Sequence, residues 1–173
     1  MKKLLVFVLL FVISCVMAGL YGFLHDQISW TLSPEYFTQL KFQQFFIPEL
    51  FHNRLGAGIV GILATWWMGL VIGIVLIPVG LVIPGWKNYL TGMIKVLGIV
   101  ALTALLIGTG ALIYGLLNYR IDTMPRFSTP VGVNDPVRFS VVGTMHNFSY
   151  LGGIVGIVTG IVAIFFERKR FLH

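Results

Sequence analysis

The side chains able to do chemistry are few, and several lie in the polar stretch between the first two apolar runs. His25, Asp26, Glu35 and Tyr36 come early in this stretch, and His52 comes near its end. A carboxylate and an imidazole held together suit general acid–base catalysis. Acid–base chemistry on a lipid-borne substrate is therefore one hypothesis for this part of the chain.

Metal binding is a second hypothesis for the same residue types. His25, His52 and His146 all lie next to predicted ends of apolar runs, and carboxylates lie nearby in sequence. Histidine with carboxylate is a common ligand set for transition metals, although this spacing matches no tight signature. Histidines at helix ends more often make structural hydrogen bonds, so metal binding stays an alternative. The full set of ligand-binding candidates is His25, Asp26, Glu35, Tyr36, His52, Asn53, Arg138, His146 and Asn147.

No motif in the sequence points to a particular enzyme class. There is no glycine-rich phosphate loop, no cysteine pair and no serine-nucleophile motif. Glu49 and His52 have the spacing of half a di-iron motif, but Gly143 stands where the second glutamate is needed, which excludes that site. Ion pairs between the polar stretches are the favoured interpretation of the charges. The expected pairs join Asp26 or Glu35 to Arg120, Arg126 or Arg138.

The elements that position these residues are predicted to be membrane helices. Hydrophobic residues make up 57% of the 173-residue chain and charged residues 10%, whereas charged residues are about 25% of soluble domains. Runs of about twenty apolar residues are long enough to cross a bilayer. The fold class is therefore an all-α membrane protein of one domain, residues 1–173. The lone Cys15 excludes a disulfide framework within the chain.

Four spans are expected, at about 4–24, 55–83, 90–117 and 148–166, with two polar loops at 25–54 and 118–147. The first run has features of a signal peptide, but its apolar character continues to Leu24, so we interpret it as an uncleaved helix. Basic residues are densest at both chain ends and in the turn at Lys87. This predicts an inner-membrane protein with both termini in the cytoplasm and both loops outside, forming a cap. The same clustering explains the net charge of +6 without nucleic acid.

An internal repeat is indicated by matching segments 93 to 95 residues apart. Tyr21-Gly22 corresponds to Tyr114-Gly115, and the run beginning at Ala57 corresponds to the run beginning at Gly152. The chain is thus predicted to form two tandem, parallel hairpins. Small residues recur every four positions in the second and fourth spans, and such stripes allow close helix contact in lipid. We expect those two helices to meet along their stripes.

Two local patterns describe the loops. Polar and apolar residues alternate over 27–33, which is typical of a strand, and Ser33-Pro34-Glu35 is a helix-start signal. Asp135-Pro136 predicts that the last helix begins early, which would place Arg138 and His146 along one face.

The first loop resembles a family of small, uncharacterised bacterial membrane proteins. The resemblance rests on His25-Asp26-Gln27-Ile28-Ser29 and on the Ser33–Thr38 string SPEYFT, followed by Lys41-Phe42. His146-Asn147 with the following residues resembles the family's start of the last helix. The resemblance implies the architecture and carries no reaction type.

Together these features predict an integral membrane protein whose outer cap binds a small ligand, a lipid head group or a partner protein. The alternatives are a membrane-embedded enzyme or metal-binding protein using His, Asp and Glu of the loops, and then a transporter. Lys95 lies near a span end, so no span carries a central charge, which disfavours an ion relay through the bilayer. The expected partners are the lipid bilayer, a lipid or small molecule and a membrane protein, with no nucleic acid. The residues indicate no particular cofactor.

Overall fold

The structure is a computed structural model that describes residues 1–125 and 129–171. Four long helices dominate it: α1 (Lys2–Leu32), α2 (Arg54–Val79), α3 (Trp86–Asn118) and α4 (Pro136–Arg170). The described residues contain no β-strand. Each helix is long and apolar enough to cross a membrane, with the α2 span reaching Val82. The predicted all-helical, multi-pass membrane architecture is confirmed at this level.

Helix α1 continues well beyond the predicted end of the first span. The strand predicted at 27–33 is wrong, because these residues form the last turns of α1. The hydroxyls of Ser29 and Thr31 donate to the carbonyl groups of His25 and Gln27, one helical turn earlier. The helix ends before Pro34, since proline disfavours helical backbone in the residue that precedes it. His25, Asp26 and Ser29 therefore project from one helix.

The starts of α2 and α4 are fixed by side-chain caps. The Asn53 side chain accepts hydrogen bonds from the backbone N–H groups of Leu55 and Gly56. Asp135 accepts from the N–H of Arg138, and Pro136 occupies the first turn of α4. The predicted early start of the last helix is confirmed. As a consequence, His146 lies in the interior of α4 rather than at its end.

The connection from α1 to α2 contains a short helical segment, which we call the 34–44 segment. It comprises α-helix Pro34–Tyr36, π-helix Phe37–Lys41 and α-helix Phe42–Gln44, and a 3₁₀-helix Glu49–Phe51 follows it. Tyr36, Phe37 and Phe42 are buried in a cluster with Phe139 and Val142 of α4. The first connection thus packs against the start of the last helix.

Tight packing occurs within each of the two antiparallel hairpins, α1 with α2 and α3 with α4. The backbones of Gly22 and Gly61 are in direct contact, and Gly152 and Gly156 pack against Ala104 and Val100 of α3. The expectation that α2 and α4 meet along their glycine stripes is therefore wrong. Most of each stripe faces the other helix of its own hairpin, where the small residues let the two backbones approach closely, whereas Gly160 lies against Leu76 of α2.

The two hairpins join mainly at the end of the bundle that carries the chain termini, which we call the terminal end. A core there contains Leu10, Leu76, Tyr89, Met93 and Ile164, so all four helices contribute. At the opposite end, which we call the loop end, the 34–44 segment lies on α4. Between these two regions the hairpins are separated by a cavity.

Candidate functional site

The cavity lies between the two hairpins and is lined by all four helices. Its volume is about 80 Å³, below the range of about 300–1,000 Å³ that small-molecule sites occupy, so a ligand larger than a few atoms requires the hairpins to move apart. The part toward the terminal end is lined mainly by apolar side chains, among them Met17, Met68, Ile72, Leu97 and Val100. The polar lining toward the loop end comprises Tyr21, His25, Asp26, His146, Ser149 and Tyr150. The cavity is therefore amphipathic along its length.

A compact group of polar residues closes the loop end of the cavity, and we call it the His–Asp cluster. It consists of His25, Asp26, Ser29, His146 and Ser149. Asp26 is 2% exposed and Ser29 is fully buried. Buried polar groups at this depth require hydrogen-bond partners, because each one left unpaired is costly. The cluster supplies most of these partners itself.

His25 connects two members of the cluster through its two ring nitrogens. Its Nδ1 lies 3.0 Å from Oδ1 of Asp26, and its Nε2 lies 3.0 Å from Oγ of Ser149. In the tautomer with its proton on Nδ1, the Nδ1–H donates to the Asp26 carboxylate and Nε2 accepts a hydrogen bond from the Ser149 hydroxyl. The imidazole of α1 is therefore held between a carboxylate of its own helix and a hydroxyl of α4.

His146 approaches the same carboxylate from α4. Its Nε2 lies 3.0 Å from Oγ of Ser29 and 3.4 Å from Oδ1 of Asp26, and its ring packs edge-on against His25 at 4.7 Å between centroids. Oδ2 of Asp26 is buried and has no hydrogen-bond partner among the described residues. A buried carboxylate oxygen left in this state indicates a place for a further donor or cation.

The predicted three-histidine metal site is not formed as expected. His25 and His146 do come together, and with Asp26 they offer ligand atoms that all lie within 4.8 Å of one another. His52 lies elsewhere, because its ring stacks on Phe42 at 4.6 Å and its Nε2 lies 2.9 Å from the carbonyl oxygen of Ile47. Asp26 takes the place of the third histidine.

Aromatic rings of the 34–44 segment cover the cluster. The ring of Tyr36 lies 4.9 Å from that of His146, and the Lys41 ammonium lies 5.5 Å from the Tyr36 ring. Burial raises the pKa of Tyr36, and the charge of Asp26 adds to this effect. Burial lowers the pKa of Lys41, and Asp26 opposes that change. The segment therefore excludes water from the loop end of the site.

Glu35 joins the two connections instead of binding a ligand or an arginine. Its carboxylate accepts hydrogen bonds from the backbone N–H of Asn134 at 2.8 Å and of Asp135 at 3.0 Å, and from the Asn134 amide at 2.6 Å. The bonds from these two N–H groups hold the pKa of Glu35 below its ordinary value. Because the carboxylate is charged, it ties the 34–44 segment to the residues that begin α4.

The ion pairs expected for Asp26 and Glu35 are absent among residues 1–125 and 129–171. Arg138 pairs with Asp135 of its own helix start at 3.5 Å, and Arg120 donates to the carbonyl of Tyr119 at 2.7 Å. Arg126 lies outside the described residues. Backbone N–H groups are the partners of the Glu35 carboxylate, and histidines are the partners of the Asp26 carboxylate, in place of the expected arginines.

The remaining candidates fall outside the cavity. Asn53 caps α2, and Arg138 and Asn147 are exposed. Sequence reasoning missed Ser29 and Ser149. Helical spacing would have indicated both, because Ser29 follows His25 by one turn and Ser149 follows His146 by three residues. The strand predicted at 27–33 did not give Ser29 the helical relation to His25 that the structure shows.

Comparison with known proteins adds no relative to this description. No protein-family model matches the chain, and no curated protein or solved structure is similar to it.

Proposed function

We propose that the protein binds an amphiphilic molecule between its hairpins, which move apart to admit it, with the polar head at the His–Asp cluster and the apolar chain toward the terminal end. The observation that carries this proposal is the buried polar cluster at one end of an otherwise apolar cavity. A water-soluble ligand would leave the Met68 and Val100 walls without apolar contacts. A plain hydrocarbon would leave Oδ2 of Asp26 without a hydrogen-bond partner. An amphiphile matches both ends.

The head group is expected to bring a hydrogen-bond donor or a cation. Asp26 offers a free carboxylate oxygen at the cluster, and His25 and His146 bracket the same side chain. Tyr36 covers the cluster from the 34–44 segment. The proposal replaces the exposed polar cap expected from the sequence with a site beneath that segment.

The proposal includes the finer features that the sequence predicts. The site would face the outside of the inner membrane, because basic residues are densest at the chain ends, and the family resemblance implies that this membrane is bacterial. The two hairpins would be tandem repeats, which agrees with the same antiparallel pairing and small-residue contact in each. Membership in the HDQ and SPEYFT family is part of the same proposal. The two connections would together form the outer cap, supported by the Glu35 hydrogen bonds to Asn134.

A cavity-filling variant tests the binding proposal. Ala101 lines the cavity, whereas its neighbour Leu102 is 53% exposed on the other side of α3. The protein is purified in mild detergent, and bound lipids are identified by mass spectrometry. We expect one amphiphile per chain in the wild type and in Leu102→Phe, and its loss in Ala101→Phe. Equal lipid content in both variants, or none in the wild type, would contradict the proposal.

Metal binding remains the second candidate function, supported by the proximity of His25, Asp26 and His146. Against it, both ring nitrogens of His25 already have partners at 3.0 Å, so a metal would have to displace one of them. Elemental analysis of protein purified without chelator decides the matter. One equivalent of a transition metal that is lost in His146→Gln, but kept in His52→Gln, would favour the metal protein.

A further inference from the structure

Ser149, His25 and Asp26 form a continuous hydrogen-bonded series across the interface between the hairpins. The Ser149 hydroxyl lies 3.0 Å from Nε2 of His25, and Nδ1 of the same ring lies 3.0 Å from Oδ1 of Asp26. A hydroxyl within reach of a base, with that base oriented by a third group, is the arrangement that activates a serine nucleophile. We propose that Ser149 attacks an acyl ester carried by the amphiphile in the cavity.

The two sides of the imidazole have the roles that this reaction needs. Asp26 is buried and accepts from Nδ1–H, so Nε2 is left to take the serine proton. His146 contacts the same carboxylate oxygen at 3.4 Å and thereby restrains its rotation. When His25 takes this proton, its positive charge lies next to the Asp26 carboxylate, which stabilises it.

Ser149 is placed where a substrate can reach it. It lines the cavity together with His25 and Asp26. On the facing helix α3 stands Gly108, and a Cβ at that position would overlap the Ser149 hydroxyl. The absence of a side chain at Gly108 therefore leaves the room in which the hydroxyl lies.

The negative charge that develops on the ester oxygen needs a donor from a side chain. Ser149 lies in the interior of α4, where backbone N–H groups are already bonded to carbonyl groups one turn earlier. The Tyr21 hydroxyl is buried and has no hydrogen-bond partner among the described residues. Tyr21 lines the same cavity as Ser149, and its ring lies 5.6 Å from that of His25. Tyr21 is thus the side chain placed to donate to the oxyanion.

The reaction balances without a further co-reactant except water. Oγ of Ser149 forms a bond to the carbonyl carbon, and its proton moves to Nε2 of His25. The ester C–O bond breaks, and the leaving alcohol takes that proton. Water then attacks the acyl-serine, again giving a proton to His25, and releases the carboxylic acid while the proton returns to Ser149. The substrate class, an ester-bearing amphiphile, rests on the proposed function, whereas the assignment of the nucleophile rests on the hydrogen-bonded series.

An alkyl fluorophosphonate tests the nucleophile directly, because it leaves a stable adduct on an activated serine. The full chain is labelled in mild detergent, and the adduct is mapped by peptide mass spectrometry. We expect labelling of Ser149, none in Ser149→Ala, and a rate at least about 100-fold lower in His25→Gln, the lower bound for loss of a general base. Ser140→Ala is the matched control, since Ser140 lies in α4 with Met124 as its partner, and it should label at the wild-type rate.

A cysteine variant keeps the test decisive if a histidine variant folds poorly. Ser149→Cys in a Cys15→Ser background places one thiol at the site, and its alkylation rate is measured with and without His25→Gln, with folding monitored by thermal unfolding in the same detergent. The thiol should react faster when His25 is present, because imidazole favours the thiolate.

The outcomes separate this inference from the binding proposal. No adduct on Ser149 in the folded wild type, or a thiol indifferent to His25, would overturn the nucleophile even if an amphiphile co-purifies. An adduct on Ser149 in protein that retains no amphiphile would support the nucleophile and count against the binding proposal alone.

Discussion

Replacing Gly61 by alanine probes the contact that holds the first hairpin together. A Cβ at this position would overlap the backbone of Gly22 and Phe23, which cannot rotate away as a side chain could. The helices α1 and α2 would have to separate by about 1 Å to restore ordinary contact. Such a separation would also lengthen the 2.7 Å contact from the Thr65 hydroxyl to the carbonyl of Ala18, a hydroxyl that lies equally close to the carbonyl of Gly61 in its own helix.

The magnitude follows from three contributions. Overpacking costs about 1–3 kcal/mol, loss of the Thr65 hydrogen bond costs about 1 kcal/mol, and replacing glycine by alanine in a helix returns up to about 1 kcal/mol. We therefore expect Gly61→Ala to lower the free energy of unfolding by about 1–3 kcal/mol. The matched control is Gly98→Ala, because a Cβ there meets nothing within 4 Å, and it should be neutral or slightly stabilising.

Reversible unfolding by SDS in mixed micelles, followed by circular dichroism, measures both variants. If Gly61→Ala proves as stable as Gly98→Ala, the close contact between α1 and α2 does not contribute as reasoned here. If both variants are destabilised equally, the effect is general to glycine and not due to the Gly22 contact.

Three further predictions concern the connections and the topology. Because the folded-state pKa of Glu35 is lowered, its contribution to stability is present above the unfolded-state pKa of about 4.3 and is lost as the pH falls through the folded-state pKa. The melting temperature should therefore drop less between neutral pH and acidic pH in Glu35→Gln than in the wild type. An equal drop in both proteins would refute this role of Glu35. His52→Ala removes the hydrogen bond to Ile47 and the stacking on Phe42 and should cost about 1–3 kcal/mol while leaving lipid retention unchanged, so loss of lipid from the folded variant would contradict the placement of His52 outside the site. A reporter fused after residue 173 should be cytoplasmic and one inserted near Asn134 external, and the reverse orientation would refute the topology inferred from the basic residues.

Hydropathy located the four helices because each must present an apolar surface to lipid. It misplaced the end of α1, because His25, Asp26 and Ser29 lower the hydropathy of turns that remain helical inside the protein. Periodicity of small residues identified the contact faces of α2 and α4 but not which helix each face meets. That choice depends on matching small residues on the neighbour, such as Gly22 opposite Gly61.

The site was predictable residue by residue but not as an assembly. Residue type and position predict a site that contains His25, Asp26 and His146, and the structure brings these three together. The same reasoning wrongly includes His52, because it also lies near a predicted helix end. Its actual partner, Phe42, follows from the π-helical path of the 34–44 segment, which no sequence pattern indicated. Helical spacing places Ser149 on the same face of α4 as His146, but its contact with His25 depends on how α4 faces α1.

The His–Asp cluster is not what stability alone would favour at this place. A buried carboxylate with one unpaired oxygen lowers stability, and apolar residues of similar volume at such sites are often neutral or stabilising. The internal packing of each hairpin does not involve the cluster, because glycine contacts hold each hairpin together, and the core at the terminal end already joins the two hairpins. The same division of packing leaves the cavity open beside Asp26. Binding of a molecule in the cavity accounts for this costly polar group, which lies outside the internal packing of each hairpin. Ionisable residues within membrane helices are in general expected to mark functional sites.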